Sequence, residues 1–217
     1  MRNADALHAL DRDLRALFGN RLHSLVAYGL ADTHDGPVAT MAIVDTLTPD
    51  DLRACAQRQK QWPQRGLATP LLLEADEFGR SLDAFPFEFG AILADHDLVS
   101  GSSPFDGLSV DPADMRRACE VQARSHLLHL REGYIETGAD SQALSQLIAR
   151  SAAPLSALLK HVERLTGGAT TVDPVLSRIT ELAPGGTVSA DEAQRLFGPY
   201  LLALERLVDA LDRWSAA

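Results

Sequence analysis

Apolar residues recur at positions 7, 10, 14, 17 and 18 of the chain, and Gly19-Asn20 follows, so this spacing predicts an amphipathic helix over residues 4–18 with its stop. Leu22 to Leu30 is a nearly continuous apolar run and reads as a strand ending at Gly29. Val38–Val44, short and rich in β-branched residues, reads as a second strand, and the polar loop ADTHDGP lies between them. Thr48-Pro49-Asp50-Asp51 starts a helix. Thr48 can cap free amides, Pro49 suits the first helical position, and the two aspartates favour the positive end of the dipole. That helix is expected to run to about Lys60 and end near Pro63. Residues 69–75 read as a third strand, 75–84 as a short helix, and 87–93 with 97–99 as a further strand or hairpin. The stretch SGSSPFDG, 100–107, reads as a loop and a domain boundary.

Beyond that loop every pattern is helical. Asp111-Pro112 opens a helix with Met115, Cys119, Leu127, Leu130 and Tyr134 at compatible spacing, closed near Gly138. A second begins near Asp140, and Pro154 is expected either to interrupt it or to begin a third, which Gly167-Gly168 ends. Asp173-Pro174 starts a short helix stopped at Pro184-Gly185-Gly186. Ser189-x-x-Glu192 has the form of a capping box before a last helix that carries Leu201, Leu204, Leu207, Val208, Leu211 and Trp214 on one face, with a kink expected at Gly198-Pro199. The expected class is α+β, with a mixed sheet and flanking helices over residues 1–107 and an α-helical bundle over 108–217.

Composition and charge narrow the functional classes. The chain has 217 residues and a formal net charge of −10, with 9 Lys and Arg against 16 Asp and Glu in residues 1–110 and 11 against 14 in residues 111–217. Phosphate neutralisation supplies most of the affinity for nucleic acid, so this acidic excess disfavours it as a partner. No apolar stretch approaches the ~20 residues of a membrane span, and the N-terminal segment lacks the apolar core and cleavage site of a secretory signal. Cys55 and Cys119 lie far apart inside expected helices and read as reduced thiols, which favours a cytoplasmic location.

The segment LHSLVAYGLADTHDGPVATMAIVD, Leu22 to Asp45, resembles the opening of the nucleotidyltransferase superfamily of the polymerase-beta and kanamycin nucleotidyltransferase type. In that superfamily a strand ends in Gly-Ser, a loop follows, and the next strand carries Asp-x-Asp. The order of helix, strand, loop, strand, helix and further strands is similar too, and so is the helical region behind it. RSLDAFPFEFGAILADHDLVSGSSPFDGL, with a helix ending HLLHLREGYIE, is similar to uncharacterised bacterial nucleotidyltransferase-like proteins, over residues 1 to about 160.

The resemblance implies a nucleotide triphosphate held at the Gly-Ser turn, with Gly29 in the turn position. It also implies divalent metal on the two aspartates and a third acid from a later strand. Such carboxylates are what in-line transfer needs, because two metals neutralise charge developing on the attacking and leaving oxygens. In this chain Leu30 replaces the serine, Val38 and Thr40 stand at the acid positions, and no shift of a residue or two restores the pair. Asp32 and Asp35 in the loop, Asp45, and Glu74 or Glu88 as a later-strand acid are the remaining candidates; Glu88, between Phe87 and Phe89, is expected to face solvent on a strand.

The expectation is a catalytically degenerate member without metal or other cofactor, keeping a nucleotide or another small ligand in the old cleft and binding a protein partner or a second copy through the bundle. An active Mg²⁺-dependent enzyme with relocated acids is the first alternative. The second is a toxin–antitoxin-type component, because Arg124-x-x-x-x-His129 fits the Arg-x4–6-His spacing of HEPN domains, in which the arginine stabilises a phosphate and the histidine moves protons. His126 and His129 are neighbours on one helical face, where a metal pair competes with plain exposure. No phosphate-cradling glycine loop and no nucleophile motif occurs, and Ser24, Ser125 and Ser145 have no supporting context as nucleophiles.

Overall fold

The amphipathic pattern at the start of the chain becomes α1 (Ala4–Phe18), which buries Leu7, Leu10, Leu14 and Phe18 on one face. A computed structural model describes residues 4–30, 36–168, 173–182 and 186–215. The chain divides into two compact units, Met1–Val110 and Asp111–Ala217.

The first unit is built on four strands: β1 (Leu22–Tyr28), β2 (Ala39–Val44), β3 (Leu71–Glu74) and β4 (His96–Gly101). They lie in the order β3-β2-β1-β4. β1 runs antiparallel to both β2 and β4, whereas β2 and β3 are parallel, with Met41 opposite Leu71 and Val44 opposite Glu74. The parallel pair needs a crossover. The chain between them supplies one as α2 (Pro49–Arg58) and the single turn α3 (Gln61–Gln64). The sheet is therefore mixed, as expected from the sequence.

Alternation sorts β2 into two sets. Ala42 and Val44 join Leu25, Ala27, the apolar face of α1, Cys55 and Trp62 in one buried cluster, with Val38 packed against it. Met41 and Ile43 join Val26, Leu73, Phe78, Phe89, Ile92 and Phe105 in a second. Both faces of the strand are thus covered, and full burial of side chains such as Met41, Ile43 and Val44 contributes about 1.5–3 kcal/mol each.

The start of α2 is tied to the sheet by charge. The Thr48 hydroxyl accepts from the Asp51 amide and the Asp51 carboxylate accepts from the Thr48 amide, a reciprocal cap. Arg21, just before β1, grips the same carboxylate through both terminal nitrogens at 2.7 and 2.8 Å and donates to the Thr46 carbonyl at 3.0 Å. The guanidinium and the cap together hold the Asp51 carboxyl far below the usual carboxylate range.

Two expected elements differ. Residues 87–93 belong to a helix, α5 (Pro86–Ala94), preceded by the single turn α4 (Glu77–Arg80). Pro86 sits at the first helical position, where its fixed φ suits the helix, and Pro86, Phe89 and Ile92 are buried at a spacing of three. A short apolar run such as PFEFGAIL fits both periods, and the flanking proline decides for the helix. α2 also stops at Arg58, two residues early, and Pro63 lies inside α3.

The second unit is helical: α6 (Pro112–Glu136), α7 (Ser141–Thr166), α8 (Pro174–Thr180) and α9 (Ala190–Arg213). α6, α7 and α9 pack on one another, and α8 lies against α7 and α9. Asp111, Asp140, Asp173 and Ser189 cap the four N-termini. Pro154 neither interrupts α7 nor begins a new helix, and Pro199 likewise lies within α9. Both prolines are exposed, so the carbonyls that lose an amide partner are on the wet side of their helices. At α9 only half the expected capping box forms: the Ser189 hydroxyl accepts from the Glu192 amide, while the Glu192 carboxylate turns to Arg178 at 2.9 Å. The expected stop of α8 at Pro184-Gly185 lies outside the described residues.

Two outcomes test this account of the first unit. Gly101 has φ +86°, and a Cβ there would sit 1.8 Å from the His23 carbonyl oxygen. Gly101→Ala is therefore expected to lower unfolding free energy by more than about 2 kcal/mol in urea titrations, through left-handed strain plus a backbone clash. Asp51 has a depressed pKa in the folded state, so its stabilisation is present above about pH 4, its ordinary range, and is lost as pH falls toward the folded value. Asp51→Asn is expected to be less stable at pH 7 and to lose less further stability than the native chain between about pH 5 and pH 2, read from urea midpoints.

Candidate functional site

The turn that would hold a nucleotide begins at Gly29. Its φ of +67° is a left-handed conformation that ends β1, and its amide donates to the Asp95 carbonyl at 3.1 Å. The next residue, Leu30, packs against the α1-side core and offers no hydroxyl. Asp32 and Asp35 lie outside the described residues.

At the start of β2, Val38 is fixed in a short parallel bridge, its amide donating to the Gly66 carbonyl and its own carbonyl accepting from the Ala68 amide, both at 2.9 Å. Thr40 is 1 % exposed. By alternation it shares the face of Ala42 and Val44, and its hydroxyl has no hydrogen-bond partner. A carboxylate at Thr40 would be buried without a partner, at a cost of several kcal/mol. The other alternation set, Ala39, Met41 and Ile43, is wholly apolar, so neither face of β2 offers a carboxylate.

The remaining acids do not converge on this turn. Asp45 follows the last residue of β2, six residues beyond Ala39 and therefore about 20 Å along the strand. It pairs with His23. Glu74, at the matching end of the parallel β3, accepts from the Leu47 amide at 2.9 Å, while the Glu74 amide donates to the Glu77 carboxylate at 3.1 Å. Both acids organise the loop that leaves the sheet. Glu88 is exposed, as expected, although on α5 rather than on a strand. Its helix packs on the cluster of Met41 and Ile43, across the sheet from the face Thr40 shares. Among the described residues no group of three or more His, Cys, Asp or Glu side chains is arranged to hold a metal ion. The two cysteines are free and buried, and burial pushes the Cys119 thiol up to about 12, far from nucleophilic.

In the second unit the structure separates Arg124 from His129. Five residues on a helix turn through about 140°, so the two side chains leave α6 in different directions. Arg124 is engaged by Glu120 at 2.8 Å and Asp212 of α9 at 3.5 Å. His129 is exposed beside Glu132, with 3.4 Å between Nδ1 and the carboxylate. A shared phosphate between the pair is not supported by this arrangement.

His126, by contrast, is 9 % exposed and forms part of the bundle interior. Its Nε2 lies 2.6 Å from the Tyr200 hydroxyl, which lies 3.2 Å from the Ser151 hydroxyl, which donates to the Ile148 carbonyl at 2.8 Å. Proton counting orders the chain. A carbonyl only accepts, so Ser151 spends its proton there and must accept from Tyr200. Tyr200 then has no proton left for His126, so Nε2–H of His126 donates to Tyr200. Burial, aided by the charge of His129, lowers the His126 pKa, and burial raises that of Tyr200 to about 12. The imidazole is therefore neutral, with its lone pair on Nδ1. Reading His126 as a surface histidine missed this. The available signal was Cys119, Ala123, His126 and Leu130 at steps of four, three and four.

No protein-family model matches the chain, and no curated protein matches it. Among solved structures it is similar to a spectinomycin adenyltransferase from Enterococcus faecialis crystallised with ATP and spectinomycin, at 10% identity and a TM-score of 0.48 over 96% of this chain and 99% of that one.

Thr40→Val tests whether the β2 position is purely structural. It removes an unpartnered buried hydroxyl at nearly constant shape, so unfolding free energy in urea is expected to rise by about 1 kcal/mol. A loss of stability would show that the hydroxyl has a partner.

Proposed function

We propose that the chain is a nucleotidyltransferase-like protein that has given up metal-dependent transfer and acts as a binding module for a small ligand. The observation that carries this reading is the composition of β2: Val38 and Thr40 stand where the resemblance calls for aspartates, and both lie among apolar groups. A hard divalent cation is held best by carboxylate oxygens, and this strand supplies no carboxylate from either alternation set. Asp45 and Glu74, the strand-end acids, already have structural partners at the far end of the sheet. The HEPN-like alternative receives no support from Arg124, whose guanidinium is engaged by Glu120 and Asp212 on a different side of α6 from His129.

The test is incubation of the purified chain with Mg²⁺ and each of the four ribonucleoside triphosphates, labelled on the transferred phosphate, with small hydroxyl acceptors and with the protein itself as acceptor. The expected outcome is no transfer above a protein-free control. Transfer that disappears in Asp32→Asn or Asp35→Asn would overturn the reading in favour of an enzyme with relocated acids.

A further inference from the structure

A groove of about 250 Å³ opens in the helical unit, between α6 and α7. Its wall carries Gln122, Ser125, His126 and His129 from α6, and Arg150 and Ser151 from α7. Leu130, Leu147 and Pro154 complete the lining, so no acidic side chain lines it, in a chain whose net charge is −10. Most of the exposed lining is apolar, and its polar part mixes donors and acceptors with one guanidinium, that of Arg150. Arg150 is exposed, its Nε donates to the Gln146 carbonyl at 3.3 Å, and it forms no ion pair with a carboxylate among the described residues. The rest of its donor fork is free to meet a planar or tetrahedral oxyanion. The groove also has acceptors. The His126 ring keeps a lone pair on Nδ1, since its Nε2–H is committed to Tyr200, and the Tyr200–Ser151 chain locks that tautomer. Pro154 has no amide, so the Arg150 carbonyl lacks its helical partner one turn on toward the C-terminus and is a second acceptor near the wall.

We propose that this groove is a binding site for a small phosphorylated molecule, its phosphate held by Arg150 and His129 and an adjacent hydroxyl donating to His126. The charge of the lining selects an oxyanion, and the buried His126–Tyr200–Ser151 chain presents a fixed acceptor beside it. The dimensions set the ligand class. At about 250 Å³ the groove is below the roughly 300–1,000 Å³ of sites for drug-sized ligands, so it suits a phosphosugar-sized molecule better than a whole nucleoside triphosphate. The two helices approach closely beside it: a Cβ on Gly133 would lie 2.6 Å from a terminal carbon of Leu147, one of the lining side chains. The ionisable neighbours are Glu132 beside His129 on α6, Arg150 on α7 and Tyr200 on α9. Glu132 is the acid that would compete for His129. The site lies wholly within the second unit and stands or falls independently of the β2 argument.

The experiment follows histidine side-chain ¹⁵N signals of the full chain while inorganic phosphate, and separately ribose 5-phosphate, is added. Saturable shifts confined to His126 and His129 are expected, with ribose 5-phosphate binding more tightly than phosphate alone. Arg150→Gln is expected to weaken both by about tenfold or more, as for loss of a charge-assisted contact, while Arg53→Gln, the same charge change on an exposed helix of the first unit, leaves them unchanged. Gly133→Ala, which pushes on Leu147, is expected to change the affinity for the phosphosugar more than that for phosphate. No saturable shift by about 10 mM of either probe, ten times a ~1 mM dissociation constant, would overturn the proposal. So would equal weakening by Arg150→Gln and Arg53→Gln, which would mark the response as general charge screening.

Discussion

The first unit depends on covering both faces of one strand. β2 holds five residues exposed by 2 % or less in succession, Thr40, Met41, Ala42, Ile43 and Val44. Such a strand cannot face water on either side, so the chain supplies α1, α2 and Trp62 for one face and the Phe78–Phe89–Phe105 group for the other. The aromatic group is tightly arranged, with the Phe78 ring 4.6 Å from that of Phe89 and 5.0 Å from that of Phe105. The consequence for chemistry is direct. A strand sealed on both sides cannot present carboxylates to a metal and a nucleotide, because an ion placed there would lose its water and gain no partner. The absence of carboxylates from β2 and the completeness of its core are two descriptions of one strand.

The edges of the sheet then carry the polar work, and it is structural. Arg21 joins the loop after β2 to the cap of α2, with Asp51 serving at once as capping residue and ion-pair partner. On the other side, Arg15 and Asp11 of α1 meet Ser100 of β4, with 3.1 Å from Arg15 to the hydroxyl. Arg21 and Asp51 lie where β1 begins and β2 ends, at the opposite end of the sheet from the Gly29 turn. All of these groups have their partners within the unit.

Much of this was legible in the chain, and the failures have identifiable causes. The mixed sheet, the helical second half and the caps at Thr48, Asp111, Asp140, Asp173 and Ser189 follow from local signals of alternation and end chemistry. Residues 87–93 were misread because an eight-residue apolar run satisfies both periods, and Pro86 was not weighed as a helix start. Pro154 was misread because a proline on the exposed face of a long helix costs a hydrogen bond that water can replace, while the apolar stripe Leu144, Ile148, Ala152, Leu155 and Leu158 continues past it. For the candidate site, the absence of carboxylates from β2 was readable from residue types alone. The scattering of Asp45, Glu74 and Glu88 was not, since it depends on strand direction and on which side of the sheet α5 lies. His126 was missed because a polar residue at a core position reveals its partner only in three dimensions, and Tyr200 is 74 residues away.

The contrast between the two interiors bears on where function resides. In the first unit the buried polar side chains without partners, Ser24, Thr40 and Trp62, are isolated atoms in an apolar setting, and each lowers stability without offering a ligand anything to reach. In the second unit His126, Tyr200 and Ser151 form a connected series, from imidazole to phenol to hydroxyl to backbone carbonyl, and its first member lines an open groove. A satisfied network of this kind costs less than isolated groups and holds one tautomer, which is what a binding site needs from its walls. It also requires helices that remain apart at Ser125 and Ser151 while meeting closely at Gly133, so the small residue at 133 and the polar residues one and two turns earlier act as one design. Polar groups both uncommitted and within reach of a ligand therefore lie in the bundle, at Arg150 and the ring lone pair of His126, and not on β2.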